Sequence, residues 1–140
     1  MIETRLSLSE ARWMLQLMNL EPSPDSPLRD PLAVIAEVPG GSTVEAKLAE
    51  ALAARGLLLA GRRVNPFAAA ALTWLARPEV VWNLALFGRG GAEAVHLAFR
   101  EGAAVECRRE PSGLRLRFPL PESEARGWLD LQVGGGRRGA

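Results

Sequence analysis

At Pro78 the hydrophobic period of this chain changes, and that change constrains the fold more than any other feature. Before Pro78 apolar residues recur at the spacing of roughly 3.6 that one helix face requires; after it they alternate with a period near 2, the pattern of half-buried strands. Helical segments followed by a run of strands read as an α+β fold. With 140 residues, the chain is expected to be a single α+β domain over 1–133, helical over 1–78 and a β-meander over 79–120. The closing GGGRRGA has nothing to bury, so a disordered tail is expected over 134–140.

The helices announce themselves by their caps. Ser7 and Glu10 have the spacing of a capping box ahead of the apolar run Leu8, Ala11, Trp13, Met14, Leu15, Leu17 and Met18, after a short strand at 2–6. The proline-rich EPSPDSPLRDP breaks any helix and reads as a linker or an ordered surface loop. Ser42 and Glu45 repeat the box before a stripe of Val44, Leu48, Ala51 and Leu52, and Gly56 stands where a left-handed cap is wanted. Asn65 and Pro66 open a further helix with the stripe Phe67, Ala70, Ala71, Trp74 and Leu75. The link LLLAGRRV between the last two helices gives the first half a winged-helix look.

Four strands follow, near 79–87, 92–100, 104–109 and 114–118, so the sheet should hold four to five strands against three to four helices. Register follows from asking which loop lengths keep like faces together, since a slip of one residue exchanges the faces. A loop at Gly88–Gly91 sets Trp82 against Leu97 and Leu84 against Val95; a three-residue loop at Glu101–Ala103 sets Phe99 against Val105 and Leu97 against Cys107. A loop at Glu110–Gly113 then sets Cys107 against Leu116 and Val105 against Phe118. This predicts one continuous apolar face under the helices, with Trp13, Trp74 and Trp82 in the core. The second face carries Asn83, His96, Arg108 and Arg115 in one row. Val81, Asn83, His96, Arg108 and Arg115 are therefore the candidate partner-binding surface, an apolar patch rimmed by charge. The plainer reading is a solvated basic end with a helix over the apolar end.

Chemistry-bearing motifs are sparse. His96 and Cys107 are the only residues of their kinds, and one of each cannot close a structural zinc site. The expected register puts them on opposite faces, against a nucleophile–base pair. FGRGGAEA lacks the Lys-Ser/Thr of a phosphate loop and leads into a strand, so it reads as a hairpin turn. No metal, cofactor or catalytic residue is expected, and the protein reads as non-enzymatic. A net charge of +1 is far from a nucleic-acid signature. The alternative, a winged-helix DNA-binding regulator, would use Arg62 and Arg63 on phosphates. No apolar run reaches the ~18 residues of a membrane span, and no segment has signal-peptide form, so the cytoplasm is expected.

The segments LSLSEARWMLQLMNL and LAEALAARGLLLAGRRVNPFAAAALTWLARPEVVWNLAL resemble the EspG family of type VII secretion-associated proteins, over roughly residues 3–118. The resemblance implies an antiparallel sheet flanked by helices and a chaperone that masks the aggregation-prone tip of a secreted helical substrate. Members of that family resemble two related halves, and this chain is about one half long. That implies a half-molecule that pairs into a homodimer, or a likeness of fold alone.

Overall fold

The computed structural model describes residues 1–138. Its elements, in order, are β1 (Ile2–Ser7), α1 (Leu8–Leu17), α2 (Arg29–Ala33), α3 (Thr43–Ala54), β2 (Leu58–Leu59), β3 (Arg63–Val64) and α4 (Pro66–Ala76). The second half runs β4 (Val80–Gly88), β5 (Gly91–Arg100), β6 (Ala103–Glu110), β7 (Gly113–Pro121) and α5 (Glu122–Arg138). Helix α5 thus reaches into the segment expected as a tail, and residues 139–140 lie outside the described residues. The fold is α+β. Its main sheet is antiparallel, in the order β1-β7-β6-β5-β4, and β2 and β3 form a small ribbon.

The caps explain where the helices begin. Ser7 Oγ accepts from the Glu10 amide at 3.0 Å and Glu10 Oε1 accepts from the Ser7 amide at 2.8 Å, a complete capping box. Asn65 Oδ1 accepts from Phe67 N at 2.9 Å ahead of Pro66 at the first helical position. The proline-rich stretch is an ordered loop. Buried Ser26 donates to Leu75 O at 2.6 Å and Ser23 N donates to Ala76 O at 2.8 Å, which fastens the loop to the end of α4 and carries Leu28 into the core.

The sheet is covered on both sides, and this corrects the expected single apolar face. On one side α1, α3 and α4 bury Trp13, Met14, Leu52, Leu72 and Leu75 against Ala98, Val105, Cys107, Leu114, Leu116 and Phe118. On the other, α5 lays Ala125 and Leu129 on Leu97, Phe99, Ala104 and Leu120. The cause is the β5–β6 turn. It has two residues, Glu101 and Gly102, both with positive φ, rather than three. Leu97 therefore faces Glu106 rather than Cys107, and Phe99 faces Ala104 rather than Val105. The β4–β5 pairing of Trp82 with Leu97 and the β6–β7 pairing of Cys107 with Leu116 are as expected, but an irregularity at Val105 keeps it from pairing with Phe118.

Three large side chains expected on buried faces, Val44, Phe67 and Trp82, are about half exposed. Phe67 is exposed because α4 turns Ala68, Ala71, Leu72 and Leu75 inward, one position round from the expected stripe. Trp82 is 45% exposed because it lies on β4, the sheet's edge.

Candidate functional site

The residues singled out from the sequence separate into two groups. Val81, Asn83 and His96 share the face that carries Ala98 and Cys107, whereas Arg108 and Arg115 lie on the opposite face with Glu106 and Arg117. The two-residue β5–β6 turn is again the cause, since it moves every β6 and β7 side chain to the other side. The five residues do not form one surface.

On the first face, His96 Nδ1 donates to Asn83 Oδ1 at 2.7 Å. His96 Nε2 is buried and has no hydrogen-bond partner among the described residues. Burial first, and the Arg109 charge second, hold the imidazole below its usual 6.5, so it is neutral near pH 7. Cys107 is the residue directly across from His96, which overturns the expected opposite-face placement. A thiolate–imidazolium pair is nevertheless unfavourable there. Cys107 is fully buried, and that burial pushes its thiol up to about 12.

On the second face Arg108 and Arg117 are paired with carboxylates, while Arg115 Nε is buried with no hydrogen-bond partner among the described residues. Arg108 bridges Glu93 at 3.1 Å and Glu106 at 3.2 Å, and its guanidinium stands 5.6 Å from the Trp128 ring centroid. Arg117 lies 3.7 Å from Glu106, so this buried carboxylate is shared by two arginines. Arg115 stands between Arg5 and Arg108 in the row across β1, β7 and β6. Trp128, on α5, is half-buried and packs against the small core beneath that helix.

Arg62 and Arg63, the residues of the DNA-binding alternative, lie at the β2–β3 ribbon. Arg62 donates to buried Glu45 at 2.6 Å and stands 6.0 Å from the Trp13 ring centroid. Arg63 donates to Ala60 O at 3.3 Å. Arg62 is thus paired with a carboxylate of the protein itself while its side chain stays 55% exposed, and Arg63 stands exposed beside it.

What sequence reasoning did not single out is the β4 edge. Strand β4 pairs with β5 alone and reads VVWNLALFG, with no charged residue and no proline over nine positions. Phe87 is 84% exposed, Val80 49% and Trp82 45%. Leu84 packs against the cluster under α5 and Val81 against the core under the other helices, while the rest of the strand overhangs both. Its absence of charge was legible in the sequence; its edge position depended on the strand order.

Among the described residues there is no group of His, Cys, Asp and Glu side chains able to hold a metal ion. No helix among them is long and apolar enough to cross a membrane. The family model of the EspG family matches residues 27–125, from the proline-rich loop through the whole meander to the first turn of α5. A search of curated proteins finds no match.

Proposed function

Because this chain belongs to the EspG family, a secretion-associated and chaperone-like family rather than one of enzymes, we propose that it is a non-enzymatic protein-binding module. In this reading it works in the cytoplasm as a homodimer, holding a secreted helical protein whose apolar tip would otherwise aggregate. Family membership over more than half of the chain is the observation that carries the reading. The exposed apolar side chains of β4 and α5 give it physical support, since contiguous apolar surface on a small protein marks interaction sites.

The test is co-expression with secreted helical proteins from the same cell, scored by what stays soluble. We expect one such protein to be insoluble alone, soluble with this chain, and recovered with it as a stoichiometric complex. Equal solubility with and without the chain, across the secreted helical proteins, overturns the reading. Retention on duplex DNA that falls steeply with salt would replace it with the regulator using Arg62 and Arg63, because phosphate contacts release counterions.

A further inference from the structure

The two edges of the main sheet are treated in opposite ways. At the β1 edge the strand has six residues and alternates charge, with Glu3 and Arg5 exposed. The Arg55 guanidinium donates to the backbone carbonyl of Arg5 and to the Glu10 carboxylate, so a side chain already occupies a main-chain acceptor there. Charge, short length and a covered backbone group are the usual devices that stop a strand from adding to an edge. The β4 edge has none of them. It is nine residues long, free of charge and proline, and its pairing with β5 runs from Val80 to Gly88 without a bulge.

We propose that two copies of this chain join through β4, antiparallel about a two-fold axis at Leu84, so that two five-stranded sheets become one of ten strands. A copy rather than a foreign strand is indicated by the charges at the ends of β4. Pairing about Leu84 sets Trp82 opposite the partner subunit's Leu86 and Val81 opposite the partner subunit's Phe87. The same register sets Glu79 opposite the partner subunit's Arg89, and by symmetry the contact occurs twice. Glu79 is exposed, held only by Arg100 at 3.5 Å, and Arg89 has no ion pair among the described residues. A shift to a two-fold at Asn83 would set Glu79 against Phe87 and lose both contacts, so the charges select the register.

The surface available suits a dimer. An aromatic side chain buries roughly 150–250 Å² when covered, so closing over Trp82 and Phe87 in both copies removes on the order of 500 Å², about half of the ~1,000 Å² a specific interface needs. Val80, Leu84, Leu86 and the backbone of the strand supply the remainder. Adding β4 of one copy to β1 of another would instead be head-to-tail and would grow an open array; the guarded β1 edge prevents it. The β4 edge is the one left unguarded, and a second copy's β4 is the strand whose end charges match it.

This inference deepens the homodimer part of the proposed function and is independent of the client. The experiment is light scattering across a dilution series of the full 15.1 kDa chain and four variants. The chain should have twice its monomer mass. Phe87→Lys is so exposed that the monomer fold should tolerate it, and it should give a monomer. Glu79→Arg and Arg89→Glu should each weaken the dimer about tenfold by opposing like charges twice, and the double exchange should restore it. Leu84→Cys should form a disulfide-linked dimer with copper-phenanthroline in air, while Glu3→Cys at the guarded edge should not. A monomer at every concentration overturns both the inference and the homodimer, with client binding still measured separately. A dimer indifferent to Phe87→Lys and to the charge exchange keeps the homodimer and overturns β4 as its site.

Discussion

Glu45 shows how one side chain can be mistaken for a local device and turn out to organise distant parts of the chain. Ser42 Oγ accepts from the Glu45 amide at 3.1 Å, the first half of the expected capping box. The carboxylate does not return to Ser42. It accepts from Trp13 Nε1 at 3.1 Å, Gly41 N at 3.1 Å and Arg62 Nη1 at 2.6 Å, tying α1, α3 and the β2–β3 ribbon together. Serine and glutamate three apart were readable; a partner 32 residues away on α1 was not. Arg62 holds its place in the left-handed region, φ 57°, where a non-glycine residue needs such support. The Arg62 hydrogen bond, followed by that from the Gly41 amide, holds the Glu45 carboxyl below its ordinary 4.5. A depressed folded-state value means that the unfolded chain binds the proton more readily, so this stabilisation is present above 4.5 and lost as pH falls through the lower folded value. Glu45→Gln should lower the melting temperature at neutral pH and flatten its fall on acidification. Thermal melts from about pH 7 to about pH 3 decide it: an acid limb as steep as that of the native chain would exclude Glu45 as a source.

At the scale of elements, turns decided which expectations held. The β6–β7 register was legible because Pro111 and Ser112 mark a turn between Glu110 and Gly113, and those two residues do pair. The β5–β6 turn was not, because Glu101 takes φ 52°, a conformation that the sequence pattern reserves for Asn or Gly. The strand it leads into gave no correction: Ala104, Val105 and Cys107 offer apolar residues of both parities, so either register looks acceptable if only one face is assumed covered. The second core under α5 was hidden for the same reason. Gly113 makes a sharper demand. A Cβ there would stand 2.0 Å from the Leu6 carbonyl oxygen, so only glycine lets β1 lie against β7. Gly113→Ala should destabilise the protein by about 2–3 kcal/mol, the range of an overpacked contact that backbone must move to relieve. The urea midpoint measures it, and a midpoint unchanged from the native chain would mean that β1 is not held there.

At the scale of the whole molecule, both faces of the sheet are closed by helices while one of its edges is left open. The helical layer and α5 stabilise the central strands, and the strand beyond their reach is the one without charge. The α+β class and two of the hairpin pairings could be read from periodicity and caps. A contact surface could not, because strand order, rather than strand identity, decides which strand is last in the row.

The placement of Trp82 also gives the molecule a light-emitting gauge of its own assembly. Trp13 is sealed in the interior, Trp74 is stacked edge-on against Phe118 at 5.0 Å, and Trp128 lies beneath Arg108. Trp82 is the indole whose surroundings change when the edge is covered. Unlabelled protein diluted through its dissociation range should emit at longer wavelength and become more open to acrylamide quenching, and Trp82→Phe should silence the change. Emission that ignores concentration, in a sample that scattering shows to dissociate, would place Trp82 outside the contact.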